Sequence, residues 1–301
     1  MSAAIETAGL TKFYGRQAGI VDLDLCVEEG EIFGFLGPNG AGKTTTIRVL
    51  LDLIRPTSGV ARVFDIVSSQ DPVAIHRRIG YVPGEFALYD RLTGRQTLEY
   101  FANLRGGVDR AYQASLIERF ELDPSRRFRE YSKGNKQKVG VIIALQHRPE
   151  LLILDEPTAG LDPLVQQTFF STLRDAVNDG ATVFLSSHIL SEVEALCDHV
   201  TIIRAGRRAD HGTFEELRHL TRTSVVVQTA EPLAGLIDLP GVHDVMIDEA
   251  GTRAEFSVEQ GDLNQALERL VALDVRTMTT SPPTLEELFM RHYKEEKEPV
   301  R

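Results

Sequence analysis

Eight consecutive residues, Gly37, Pro38, Asn39, Gly40, Ala41, Gly42, Lys43 and Thr44, fit the spacing G-x-x-x-x-G-K-[ST]. The glycines let the backbone curl so that successive N–H groups face one anion, and a helix starting there adds a favourable dipole. In such a cradle Lys43 reaches the β- and γ-phosphates and the Thr44 hydroxyl ligates Mg²⁺. The alternative is a glycine-rich turn formed by chance, which has no reason to stand between an apolar strand and a helix, as this one does. Further along, Leu151-Leu152-Ile153-Leu154 runs into Asp155-Glu156-Pro157. Two neighbouring carboxylates at the end of a buried strand repel each other unless a cation or a reaction uses them. Asp155 suits a carboxylate that holds Mg²⁺ through water, and Glu156 one that orients or deprotonates an attacking water. Alone, the step reads as readily as a polar strand end capped by a proline turn; the phosphate cradle upstream favours chemistry.

The elements that must carry these residues follow from periodicity. Residues 3–36 alternate as strands, the last being 31–36, and 43–53 is helical until Arg55-Pro56 stops it. Strands are predicted at 79–82, 151–154, 182–186 and 200–204, and helices at 97–104, 111–120, 133–146, 163–177 and 190–196. Strands alternating with helices give an α/β fold with a mainly parallel sheet covered on both faces. Near residue 221 the pattern changes to strands at 224–229, 242–247, 253–258 and 275–280 with helices at 263–273 and 284–293, a small α+β appendage ending in a charged tail, 294–301.

Composition sets the outer limits. The 301 residues are 42% hydrophobic and carry a net charge of −11, which disfavours generic nucleic-acid binding. The two cysteines, Cys26 and Cys197, read as reduced, buried thiols of a cytosolic protein. No apolar run approaches the ~20 residues that cross a bilayer. Any membrane passage therefore falls to another chain.

With the phosphate cradle and the 151–156 strand in place, residues 3–220 resemble the nucleotide-binding subunit of ABC transporters, a P-loop ATPase core with a helical subdomain at about 85–150. Further motifs stand in family order. Tyr14 occupies the place of the aromatic that stacks on adenine. Tyr131-Ser132-Lys133-Gly134-Asn135 stands at the signature sequence, where Ser132 is also a good N-cap for the helix that follows. Lys133 and Asn135 depart from the usual Leu-Ser-Gly-Gly-Gln. Ala159-Gly160-Leu161-Asp162 matches the loop joining two sites across a dimer, and His188 the switch histidine that meets the γ-phosphate. After Tyr81-Val82-Pro83 the family has a metal-sensing glutamine; here Gly84 and Glu85 follow, with Glu85 the favoured substitute. The ending Pro283-Thr284-Leu285-Glu286-Glu287-Leu288-Phe289 is similar to tails of drug and antibiotic exporter ATPases.

The resemblance implies ATP and Mg²⁺ as ligands. The ATP-binding set is Tyr14, Gly37 to Thr45, Ser132 and Gly134, with Glu156 and His188 catalytic and Thr44, Asp155 and Glu85 at the metal. It implies two domains, 1–220 and 221–301, and partners in a membrane permease, docked between Ile79 and Tyr100, and a second ATPase subunit, identical or not. The protein would then lie in the cytoplasm at the inner face of the plasma membrane. The alternative is a soluble ABC ATPase acting on ribosomes or DNA, which usually carries two cassettes or long inserted arms.

Overall fold

The computed structural model describes residues 2–84, 88–219, 222–233, 235–237, 239–259 and 261–281. The chain divides into two compact units, Met1–His211 and Gly212–Arg301. In chain order the first holds β1 (Ala3–Tyr14), β2 (Gln17–Glu28), β3 (Ile32–Leu36), α1 (Lys43–Leu50), β4 (Ser58–Val63), β5 (Ile66–Val67), α2 (Pro72–Arg78) and β6 (Ile79–Val82). It continues with α3 (Gly94–Leu104), α4 (Arg110–Arg119), α5 (Lys133–Leu145), β7 (Leu151–Asp155), α6 (Pro163–Asn178), β8 (Thr182–Ser187), α7 (Leu190–Leu196), β9 (His199–Arg204) and β10 (Arg207–Thr213).

A six-stranded sheet, ordered β10-β9-β3-β8-β7-β6, forms the centre. β3, β7 and β8 are buried at every residue, as continuous apolar runs in a parallel sheet must be. The register β6/β7/β8/β3 is parallel throughout, so the loops after β3, β7 and β8 emerge at one edge. The phosphate loop, Glu156 and His188 follow β3, β7 and β8 at that edge. Phe33, Phe35 and Phe184 stack across β3 and β8 with centroids 5.3–5.8 Å apart and fix that pair.

A second sheet, β2-β1-β4-β5, covers one side. The 58–78 stretch had given no signal in the sequence, because β4 is half exposed and β5 has only two residues. Alternation along β2 puts Cys26 on the outer face, so the expectation of two buried thiols holds for Cys197 alone. Helix starts are set by local capping. Asp71, Asp109, Ser132 and Asp162 each accept from backbone N–H groups of the first turn. Thr93 and Gln96 close a capping box, which starts α3 at Gly94 rather than at the predicted Thr97.

His147, just past α5, is held by burial. Its Nε2 lies 3.1 Å from the Ile79 carbonyl oxygen, so the neutral ring carries its proton there. Burial first, then the charge of Arg105, lowers the imidazole to about 4. An unfolded histidine titrates at about 6.5. Between those values the unfolded chain binds a proton that the folded chain refuses, so stability is lost as pH falls through this window. Urea midpoints at pH 7.5 and pH 5 should therefore differ more for the native chain than for His147→Gln. Equal differences in both would remove His147 from the acid limb.

The second unit contains α8 (Phe214–His219), β11 (Thr223–Thr229), β12 (Val242–Ile247), β13 (Arg253–Val258), α9 (Leu263–Val271) and β14 (Val275–Ser281). Its antiparallel sheet runs β12-β13-β11-β14. Ala266 and Leu270 of α9 share a small core with Val225, Val227, Phe256 and Val258. The helix predicted at 284–293 and the tail after it lie outside the described residues.

Candidate functional site

The phosphate loop is shaped by close approach as much as by turn geometry. Gly40 and Gly42 have φ of 82° and 113°, the left-handed region that favours glycine. A side chain at Gly37 would collide with the Ile203 carbonyl. α1 begins at Lys43 with no capping side chain and no acidic residue in its first turn, so its free N–H groups face whatever the loop encloses. Lys43 is 5% exposed. Its Nζ donates to Gly37 O at 2.6 Å and Pro38 O at 3.1 Å and stands 3.3 Å from Glu156 Oε1.

Thr44 Oγ1 donates to Asp155 Oδ2 at 2.8 Å, and Ser186 Oγ donates to Asp155 Oδ1 at 2.6 Å. Both carboxylate oxygens are thereby oriented, one toward the loop and one away from it. The Asp155 charge also touches Tyr81, whose hydroxyl is pushed up to about 12, by burial first and by that carboxylate second. Glu156 has a φ of 47°, unusual for a residue with a side chain. Its N–H is held by Ser186 O at 3.1 Å and Ser186 Oγ at 3.3 Å, which turns the carboxylate back toward Lys43. His188 Nδ1 lies 3.2 Å from the same Glu156 Oε1. The turn that presents His188 is fixed by Ser187, whose hydroxyl donates to buried Glu192 at 2.9 Å and accepts from Ile189 N–H.

Lys43, Thr44, Asp155, Glu156 and His188 are thus brought together in one constellation. Tyr14 lines the same cleft of about 320 Å³, together with Gln17, Asn39, Gly40, Thr45 and Glu156. Gly19, overlooked in the sequence, lets the Tyr14 ring lie close: a Cβ there would stand 3.0 Å from Tyr14 Cε2. Ser186 was likewise overlooked as the residue that orients Asp155; its signal was a polar residue closing an apolar strand.

Ser132 and Gly134 do not line this cleft. Ser132 Oγ caps α5 by accepting from Asn135 N–H at 3.3 Å, and Gly134 faces the Gly160 carbonyl. Gln137 Nε2 donates to Pro157 O at 2.8 Å, pinning the start of α5 to the segment after Glu156. Gly84 faces Asp155: a Cβ there would stand 3.7 Å from its carboxylate carbon, so space exists for a side chain. Glu85 lies outside the described residues.

Two hard oxygen donors already within hydrogen-bonding distance, the Thr44 hydroxyl and the Asp155 carboxylate, fit a small divalent cation that keeps several waters and binds substrate phosphate. No cluster of three or more His, Cys, Asp or Glu among the described residues offers a self-contained metal cage.

Residues 20–159 match the ABC transporter family model, and residues 212–293 match the C-terminal domain of ATP-binding proteins like DrrA1-3. A bacitracin transport ATP-binding protein, BcrA, of Bacillus licheniformis is 36% identical over 299 residues, spanning 97% of both chains. The chain belongs to the ABC transporter ATP-binding proteins. A daunorubicin resistance ATP-binding protein, DrrA3, of Streptomyces coeruleorubidus is also 36% identical, over 95% of each chain. The solved ATP-binding subunit of an ABC transporter superposes with a TM-score of 0.67 at 32% identity, covering 72% of this chain and 92% of that one. The dimeric cassette MJ0796 shares the fold with a TM-score of 0.65 at 23% identity, over 69% of this chain and 98% of that one. As a member of this family the chain is an ATP-binding, ATP-hydrolysing subunit. None of its described helices is long and apolar enough to cross a membrane.

Proposed function

We propose that the chain is the motor that drives export of an antibiotic or similar compound through a separate membrane permease. The observation that carries this reading is likeness along the whole chain, second unit included, to ATP-binding proteins of bacitracin transport and daunorubicin resistance. The permease would dock on the face between Ile79 and Tyr100, at the cytoplasmic side of the plasma membrane. Exposed Tyr89 packs edge-on against Tyr100 there, with centroids 5.6 Å apart, an amphipathic surface suited to a partner helix.

In this reading Tyr14 stacks on adenine, and Gly37 to Thr45 wrap the phosphates with backbone N–H groups. Lys43 neutralises the β- and γ-phosphates. Thr44 and Asp155 would hold Mg²⁺, which when bound neutralises charge on the β- and γ-phosphate oxygens. Glu156 accepts a proton from the attacking water, and His188, whose Nδ1 lies 3.2 Å from the same oxygen, keeps that carboxylate in line. Positioning and charge stabilisation supply most of the acceleration in phosphoryl transfer. Ser132 and Gly134 stand outside the cleft they are needed for. A second subunit must therefore bring its own pair, and ATP lies between the two.

Glu85 is assigned to the metal shell in place of the glutamine absent at Gly84. Glu85→Gln and Glu85→Ala should each raise the Mg²⁺ concentration for half-maximal ATPase; native Mg²⁺ dependence in both would refute the assignment. The export reading is tested by reconstituting the chain with a membrane permease found in the neighbouring reading frame. Stimulated ATPase and ATP-dependent efflux are expected. A permease that neither binds the chain nor changes its ATPase would overturn it.

A further inference from the structure

The far end of β6, away from the nucleotide cleft, is a junction that ties together α1, β7, α3 and α5. His76 Nε2 bonds the carbonyl of Leu51, the last residue capping α1, at 2.9 Å. Arg78 grips Glu150 with two bonds of 2.8 and 2.6 Å, and Glu150 N–H returns to Arg78 O at 2.9 Å, so the start of β7 is fixed to the end of α2. Arg105, the residue closing α3, reaches across with its guanidinium. Its Nη1 donates to His76 O at 2.6 Å and Arg77 O at 3.2 Å, and its Nη2 donates to Ile79 O at 2.8 Å. Those carbonyls are the unpaired groups at a helix end and at the free edge of an edge strand, which a cation satisfies well. His147, after α5, bonds the same Ile79 oxygen. Gly80 is bare because α5 lies directly on it: a side chain would collide with the Ala144 carbonyl.

α5 is thus anchored at two points. Near its start Gln137 holds Pro157 O and Gly134 meets Gly160; near its end Ala144 and His147 rest on Gly80 and Ile79. Arg105 is the charged clasp of the second anchor. It alone among the described residues joins α3 to three backbone carbonyls of the α2–β6 corner. From that corner β6 runs, in register with β7, to Pro83 and Gly84 beside Asp155.

We propose that Arg105 is a positioning residue: by clasping the α2–β6 corner it sets the direction in which α5 presents Ser132 and Gly134 to a second subunit. It touches neither nucleotide nor reacting atoms. Without it the second anchor loosens and α5 pivots about Gln137, while the phosphate cradle, built on β3 and α1, stays intact. This rests on the proposed pairing of two subunits around ATP. Nucleotide affinity of the single chain and affinity between chains should therefore separate.

The test uses the full chain carrying Glu156→Gln, with and without Arg105→Ala or Arg105→Lys. Mg·ATP affinity is read with a fluorescent analogue at low chain concentration, and pairing is read by sedimentation with saturating Mg·ATP. Loss of the clasp should leave nucleotide affinity within twofold and weaken pairing about tenfold, with lysine, a single donor centre, in between. Pairing as tight as in the parent overturns the role of Arg105, and so does a parallel loss of nucleotide affinity, the mark of general destabilisation. Should Arg105→Ala not fold, the same two measurements on Arg105→Lys support or overturn the role in the same way. A parent that itself stays single overturns both this role and the pairing on which it rests.

Discussion

Replacing Glu156 with glutamine should reduce ATP turnover by about 10²–10⁴-fold, the range for a lost general base. The amide keeps the size of the side chain and leaves the backbone bonds to Ser186 untouched, so the turn at φ 47° persists. What disappears is the carboxylate proposed to take the proton of the attacking water. Substrate binding moves the other way. Glu156 Oε1 is 3.3 Å from Lys43 Nζ and competes with phosphate for that cation. Removing its charge leaves Mg·ATP affinity unchanged or higher. Phosphate release in single turnover, beside a direct binding titration, checks both halves. A variant that keeps a tenth or more of native turnover would take the base role away from Glu156.

Lys43→Ala should have the largest effect on binding. The ammonium is 5% exposed and held by two loop carbonyls and one carboxylate, so it is oriented before any phosphate arrives. Charge-assisted hydrogen bonds contribute about 1.5–3 kcal/mol each, so losing one to each of the β- and γ-phosphates weakens Mg·ATP by roughly 10²–10⁴-fold. Alanine also leaves Glu156 without its cation, facing an incoming polyphosphate. AMP, which lacks both phosphates, should bind the variant and the native chain alike. A Mg·ATP dissociation constant within threefold of native would contradict the assignment.

Much of this site could be read from the chain because its parts are local. The 37–44 turn, the carboxylate pair after an all-apolar strand and the N-capping Ser132 each announce themselves within a few residues. Their meeting also followed, since parallel strands deliver their carboxyl ends to one edge. What escaped was the set of interactions whose partner is distant backbone. Arg105 meets carbonyls some 26–29 positions away, and nothing in an Asn-Leu-Arg-Gly step marks it. Gly80 and Gly19 are bare for neighbours that only the fold supplies. The left-handed backbone of Glu156 was equally hidden, because glycine, asparagine or aspartate would have been the usual hint. The β4–β5 hairpin failed for a different reason: half-exposed short strands carry too little alternation to stand out.

The cleft that holds Lys43 and Glu156 contains neither Ser132 nor Gly134 of its own chain, and the proposed pairing of two subunits around ATP rests on that separation. Sedimentation of the Glu156→Gln chain across a concentration series, with Mg·ATP and then with Mg·ADP, addresses it directly. With ATP the species should shift from one chain to two, and with ADP it should remain single. A chain saturated with Mg·ATP that stays single at the highest concentration, alone or with its permease, would contradict it.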